Sequence, residues 1–238
     1  YMKAFLLSAG LGKRLRPITN NIPKCLVPIN NIPLIEYWFR LFRKYEINDV
    51  LINTHYLSEK INDYVKENVG DINIKITFEQ NLLGSFGSLI NNKDYFSNEK
   101  SFLVCYSDNL TNINITDFIS FHYSHDLPIT IGVFPCTNPN QCGIVELNGD
   151  FTIIDFEEKP EDPSGILANA GIYIFDLKIF DGFIPKENTF LDIGNHLLPK
   201  FINQMKGFII NDYLLDIGNL DNYDMANQFV SLNPGMFV

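Results

Sequence analysis

A chain of 238 residues, 46% hydrophobic and 19% charged, carries enough apolar mass for a substantial core, which excludes a disordered or low-complexity scaffold. Its 18 Lys and Arg against 28 Asp and Glu give a net charge of -10, so no bulk basic surface awaits nucleic acid or anionic lipid, and any anion site has to be local. The 4 cysteines form no C-x-x-C pair and point to a reducing, cytoplasmic setting rather than a disulfide framework.

Lys3 to Ser8 (K-A-F-L-L-S) is an apolar run without helical period, the pattern of a strand buried on both faces of a parallel sheet. It is too short for a signal-peptide core, and no window reaches the roughly 18 apolar residues of a membrane span. The expectation is therefore an unexported chain with no membrane partner, in which the sequons at Asn109 and Asn114 are chance matches and Tyr1 is foreign to a natural start at Met2.

From Leu34 to Tyr45, residues Leu34, Ile35, Trp38, Leu41, Phe42 and Tyr45 form a helical stripe behind Pro33. Asp49 to Asn53 reads as a second buried strand. Ser58 then caps a helix with Ile61, Tyr64 and Val65 facing inward, and Asn73 to Phe78 is a third strand. A short helix after Gly87, a strand over Ser101 to Tyr106, a helix around Asp117 to His125 and a strand over Ile129 to Phe134 continue the alternation. This rhythm predicts one α/β domain over residues 1–238, with a doubly wound, mostly parallel mixed sheet flanked by helices. Strand-like pieces at Gly143 to Leu147, Phe151 to Phe156 and Gly171 to Phe175 lie too close together for crossover helices and predict antiparallel pairing. Helices are expected over Phe190 to Met205 and Asp221 to Val230, with short strands at Phe208 to Ile210 and Tyr213 to Ile217 between them.

Ser8 to Pro17 reads S-A-G-L-G-K-R-L-R-P directly after the first strand, where a doubly wound sheet places its ligand crevice. Gly10 and Gly12 let backbone N–H groups approach a phosphate closely, and Lys13, Arg14 and Arg16 supply cations in an acidic chain. The segment is neither a P-loop nor a dinucleotide fingerprint, since GxxxxGK[ST] is absent and GxGxxG fails at its third glycine. An ordinary solvated loop remains the alternative on these residues alone. Pro23-Lys24 adds a second basic point within reach of the same crevice.

S-A-G-L-G-K-R-L-R-P followed by I-P-K-C-L-V-P-I (Ile22 to Ile29) resembles the signature of the sugar-1-phosphate nucleotidyltransferases, G-G-x-G-T-R-L-x-P with P-K-P-x-x-P. Ala9, Lys13 and Cys25 depart from that pattern, while Arg14 and Lys24 keep it. The resemblance implies a Rossmann-like nucleotidyltransferase fold and attack by a sugar 1-phosphate on the α-phosphorus of a nucleoside triphosphate. It implies that Ser8, Ala9, Gly10, Gly12 and Lys13 line the nucleotide, that Lys13 and Arg14 hold the departing pyrophosphate, and that Lys24 offsets charge at the α-phosphate. The chain then corresponds to the short form, ending at the catalytic core.

Asp108 in Y-S-D-N and Asp216 in Y-L-L-D-I-G each follow apolar residues. Mg²⁺ takes hard oxygen ligands, commonly one or two carboxylates with phosphate and water completing the shell. Either aspartate could instead cap a turn. The resemblance gives both to Mg²⁺. The E-K-P of F-E-E-K-P (Phe156 to Pro160) matches a family segment at the sugar end, which assigns Lys159 to the sugar 1-phosphate and Glu158 to a sugar hydroxyl; without the family it reads as a solvated turn. Asn109, Gly143, Asn169 and Gly171 complete the expected sugar-side set. N-L-L-G-S-F-G-S-L (Asn81 to Leu89) resembles the glycine segment that packs on the base and gives Gly84 that role. Glu79 could accept two donors from a guanine edge, or could be an exposed strand-end charge.

His122 and His125 lie at i and i+3 with no third ligand at a recognisable spacing and read as surface residues. No G-x-S-x-G elbow or paired Cys and His supports acyl transfer. The segments I-P-K-C-L-V-P-I, Y-S-D-N-L-T-N and C-G-I-V-E-L are most similar to guanylyltransferases acting on mannose or manno-heptose 1-phosphates, which favours GTP. Uridylyl and thymidylyl relatives share nearly every element, a cytidylyltransferase acting on phosphocholine is a rival within the fold, and a nucleotide-sugar sensor is the rival outside enzymology. The oligomeric state is open, a homo-oligomer included.

Overall fold

The computed structural model describes residues 2–68, 70–183 and 189–237. In chain order they form strands β1 (Ala4–Leu7), β2 (Pro28–Ile29) and β3 (Ile32–Pro33), helix α1 (Leu34–Lys44), strand β4 (Asp49–Thr54), helix α2 (Ser58–Asn68), strand β5 (Asn73–Phe78) and helix α3 (Ser85–Asn91). Strands β6 (Ser101–Tyr106) and β7 (Asn109–Thr111), helix α4 (Ile115–Tyr123) and strands β8 (Ile129–Pro135), β9 (Gly143–Leu147), β10 (Ile153–Glu158) and β11 (Leu167–Asp176) follow. Strands β12 (Met205–Ile209) and β13 (Leu214–Asp216) and helix α5 (Leu220–Leu232) complete the series. The chain gathers into two compact units: Tyr1–Leu82 with Cys105–Ile113 and Asp212–Val238, and Leu83–Val104 with Asn114–Asn211.

In the first unit, β1 pairs in parallel with β4 from Ala4↔Val50 to Leu7↔Asn53, and β4 with β5 from Asp49↔Asn73 to Thr54↔Phe78. Parallel neighbours need crossovers, and α1 and α2 supply them. The α1 stripe buries the expected Leu34, Ile35, Trp38, Leu41 and Phe42, and also Tyr37 and Phe39. Each such side chain removed from water contributes about 1.5–3 kcal/mol. An antiparallel ribbon sets β13 against β7, with Leu214↔Thr111, Leu215↔Leu110 and Asp216↔Asn109. An apolar cluster of Leu15, Ile29, Leu110, Ile217 and Val230 includes the ribbon, and Tyr213 stacks on Phe229 at 3.8 Å beside it. Cys25 and Cys105 are buried free thiols; burial pushes Cys25 up to about 12, so neither supplies a ready thiolate.

The second unit carries the expected antiparallel pairing: β8 with β11, and β9 with β10. Strand β12 joins β8 in parallel from Met205↔Ile129 to Ile209↔Val133. The chain is thus α/β with a mixed strand set, as its rhythm implies. Two local expectations change. The short helix starts at Ser85, ahead of Gly87, because the chain turns at Gly84 (φ +77°), and Gly87 lies buried inside it where a Cβ would stand 3.1 Å from Leu83. The helix expected over Phe190 to Met205 is present but shorter and not α: a π-helical turn at Ile193–Leu197 runs into a 3₁₀ turn at Leu198–Phe201, and Met205 already belongs to β12. Pro199 has no N–H to continue a helical ladder there.

The expectation of surface histidines also fails for His122, which is 3% exposed. The Leu127 N–H donates to His125 Nδ1 at 3.2 Å, and Thr130 Oγ1 sits 3.0 Å from His125 Nε2 and 2.8 Å from His122 Nδ1. His122 Nε2 faces Asp176 at 3.3 Å. This order satisfies two neutral imidazoles, which is why a histidine can be interior here. Among the described residues no helix is long and apolar enough to cross a membrane.

Candidate active site

The first unit holds the glycine loop, Lys24, Glu79, Asp108, Asn109 and Asp216. Gly12 takes φ +61°, and Thr19 accounts for its shape: the Thr19 hydroxyl donates to the Gly12 carbonyl at 2.7 Å, and a Cβ on Gly12 would stand 3.0 Å from Thr19 Cγ2. Buried Leu15 anchors the tight turn Lys13–Leu15, leaving Lys13, Arg14 and Arg16 exposed. Gly10 is exposed, with no atom within 4 Å of the place its Cβ would take. Ser8 is turned inward: its N–H donates to Asn53 Oδ1 at 2.7 Å and its hydroxyl to the Leu6 carbonyl at 3.3 Å. Backbone donors for a phosphate therefore begin after Ser8.

Lys24 opens a tight turn, Lys24–Leu26, pinned by Cys25 beneath it. Its ammonium forms an ion pair and hydrogen bond with Asp108 and lies 3.6 Å from Asp216 Oδ1. The ribbon explains the meeting, because Asp216 faces Asn109 across it and the Ile217 N–H donates to the Asp108 carbonyl at 2.9 Å. Burial opposes the Lys24 charge, but Asp108 and Asp216 outweigh it and its pKa ends above the ordinary value. Asp216 is also raised, first by burial and then by Asp108. At Gly218 a Cβ would stand 2.6 Å from Asp216 Oδ2 and 3.2 Å from Arg14 Nη2, so both charged groups occupy space that any side chain would take.

Glu79 is 3% exposed, which removes the strand-end alternative. Its Oε1 accepts from Asn53 Nδ2 at 2.8 Å, and its carbonyl meets His55 Nδ1 at 2.8 Å. Asn53, Thr19 and Gly218 are the residues that sequence reasoning missed. Only Asn53 carried a signal, an amide closing an otherwise apolar strand, which once buried must find partners.

The second unit holds the expected sugar-side residues other than Asn109. Glu158 is half-buried against two glycines: a Cβ on Gly143 would stand 2.7 Å, and one on Gly194 2.5 Å, from Glu158 Oε2. Burial raises the Glu158 pKa, Lys159 opposes the rise and Asp192 adds to it. Lys159 Nζ lies 3.6 Å from Glu158 Oε1 on a side chain 62% exposed. Asn169 serves the irregular turn of its own strand, donating to Tyr173 at 2.8 Å and accepting the Gly171 N–H at 3.0 Å, with Gly171 at φ +68°. Gly84 touches backbone: a Cβ would stand 2.3 Å from the Leu191 carbonyl, which accepts from Phe86 and Gly87. Ser85 Oγ donates to Asp192 at 3.2 Å and accepts from Ile193 at 2.8 Å.

Among the described residues no three His, Cys, Asp or Glu gather as a metal cage. The pair Asp108 and Asp216 nevertheless suits a hard cation, since their carboxylate oxygens already converge on one positive group, the Lys24 ammonium.

The nucleotidyl transferase family model matches residues 3–232. A UTP–glucose-1-phosphate uridylyltransferase from Synechocystis is 30% identical over 94% of this chain and 62% of its own length. A D-glycero-alpha-D-manno-heptose 1-phosphate guanylyltransferase from Aneurinibacillus thermoaerophilus is 31% identical over 95% of this chain and 97% of its own. Of a bifunctional protein GlmU from Methanocaldococcus jannaschii the chain spans 54%. The crystal structure of HddC from Yersinia pseudotuberculosis complexed with GMP-PN superposes with a TM-score of 0.81 at 24% identity, covering 96% of this chain and 99% of that one, and so shares the fold. With a glycine loop after β1, a lysine bridging two aspartates, and a family match from residue 3 to 232, the chain belongs to the nucleotidyl transferase family.

Proposed function

We propose that residues 1–238 act as one domain that transfers a nucleoside monophosphate, from GTP by preference, to a mannose or manno-heptose type sugar 1-phosphate, releasing pyrophosphate. The observation that carries this reading is the Lys24 ammonium set between Asp108 and Asp216 in the unit that bears the glycine loop. An oxygen of the sugar phosphate forms the new bond to the α-phosphorus as the bond to the β-phosphate oxygen breaks, and the electron pair leaves with pyrophosphate. A phosphate monoester is already anionic at neutral pH, so no general base is needed, and catalysis reduces to positioning and charge neutralisation.

The residues divide that work. Backbone N–H groups from Ala9 to Gly12 and the cations Lys13 and Arg14 hold the β- and γ-phosphates, and Lys24 offsets charge at the α-phosphate. Asp108 and Asp216 would hold Mg²⁺, which would supply compensation for the phosphate charge. Lys159 meets the sugar phosphate as a mobile point charge, and Glu158 accepts from a sugar hydroxyl, with Asn109, Gly143, Asn169 and Gly171 shaping that side. Gly84 packs on the base and Glu79 reads it. The likeness to the manno-heptose guanylyltransferase over nearly its whole length supports GTP and that sugar class, and the uridylyltransferase at similar identity supports the rival.

Pyrophosphate release with Mg²⁺, measured across GTP, UTP, dTTP, CTP and ATP against mannose, heptose, glucose and amino-sugar 1-phosphates and phosphocholine, tests the reading. Turnover is expected with GTP and a mannose or heptose phosphate. Turnover only with UTP or dTTP moves the base assignment, turnover only with CTP and phosphocholine overturns the Glu158 and Lys159 roles, and nucleotide-sugar binding without turnover leaves a sensor.

A further inference from the structure

Asn53, next to last in β4, lies opposite Leu7, where β1 ends and the glycine loop begins. It is 2% exposed, and both ends of its amide are used in opposite senses: Oδ1 accepts the Ser8 N–H at 2.7 Å and Nδ2 donates to Glu79 Oε1 at 2.8 Å. Two segments far apart in sequence, the loop after β1 and the chain after β5, are tied through this one amide. We infer that Asn53 is a positioning residue for the nucleotide, holding the start of the glycine loop and the Glu79 carboxylate in a fixed mutual arrangement. The inference rests on the proposed roles of that loop and of Glu79.

The chemistry demands an amide. Leucine, similar in shape, would remove both of these hydrogen bonds from buried groups. Aspartate would satisfy Ser8 but set one carboxylate against another. The pair can, however, be exchanged: with Asn53→Asp and Glu79→Gln together, residue 53 accepts from both Ser8 and residue 79, and both hydrogen bonds survive with the donor and acceptor at Glu79 reversed.

The experiment compares Asn53→Asp, Glu79→Gln and the double variant by steady-state kinetics and by calorimetric titration with GTP and UTP in Mg²⁺. For Asn53→Asp the nucleotide KM and Kd should rise roughly tenfold or more, the worth of a hydrogen bond to a charged group turned into repulsion. KM for the sugar 1-phosphate and kcat at saturation should stay within about twofold. In the double variant UTP affinity returns toward wild type, while preference for GTP is lost with the carboxylate. Unchanged nucleotide affinity in Asn53→Asp, or a double variant no better than Asn53→Asp, overturns the inference. Recovered affinity with an unchanged ranking of bases sustains it and overturns base reading by Glu79. If Asn53→Asp does not fold, the double variant decides alone, since it keeps both bonds: near-wild-type affinity for UTP supports the inference and a tenfold loss of UTP affinity overturns it. A wild-type chain that binds neither triphosphate overturns this reading together with the one it rests on.

Discussion

Lys24 is largely shielded from water and faces two carboxylates that stay partly open to it, with the Asp216 side chain half exposed. The trio is a mutual arrangement of charges rather than three independent side chains, and exchanging one member tests it. Asp108→Asn keeps the shape and removes one negative charge; turnover should fall by at least about a hundredfold, the usual scale for losing one electrostatic element of a phosphoryl-type site. Its melting temperature should stay within a few degrees of wild type. Near-normal pyrophosphate release would remove Asp108 from the metal site. At Glu79 the same logic changed the reading: the residue type allowed a surface charge, and burial at 3% exposure with a donated Asn53 amide does not.

At the scale of elements, the β7–β13 ribbon joins two distant aspartates, and a backbone lattice joins the Gly84 turn to Leu191. The second depends on glycine twice, through φ +77° and through the 2.3 Å that a Cβ would leave to the Leu191 carbonyl. Gly84→Ala should therefore cost at least about 2 kcal/mol, from a strained backbone and the displaced Phe86 and Gly87 hydrogen bonds. In a chain of this size that lowers the melting temperature by about 4–8 °C. Calorimetry settles it, and an unshifted melting temperature would mean that the turn opens freely. The shortened helix after Phe190 belongs to the same scale: apolar residues recur there and Ile193–Phe201 is helical, but Pro199 has no N–H for a regular α ladder.

For the whole molecule, one contribution to stability in mild acid comes from the His122–Thr130–His125 chain. Burial lowers His125 to about 4, with His122 adding to the effect, and burial outweighs Asp176 in lowering His122. A histidine lowered in the folded state binds its proton first on unfolding, so its contribution is complete above about 6.5 and is lost as pH falls toward about 4. The melting temperature should drop through that window, and His125→Gln should make the drop shallower. A parallel pH profile in the variant would clear His125 of the effect.

Much of the fold was legible because it is written locally. The apolar run of β1, the α1 stripe behind Pro33 and the close-set strands after Gly143 each follow from residues a few positions apart, and the glycine loop with its cations is one continuous segment. The structure alone decided which distant residues meet. Asp108 and Asp216 share Lys24 because of a strand register, Asn53 joins Ser8 to Glu79 because β4 lies between β1 and β5, and His122 is interior because Thr130 and Asp176 complete its hydrogen bonds. Periodicity records how a segment contacts its surroundings, whereas register and the pairing of buried polar groups are set by the packing of segments against one another.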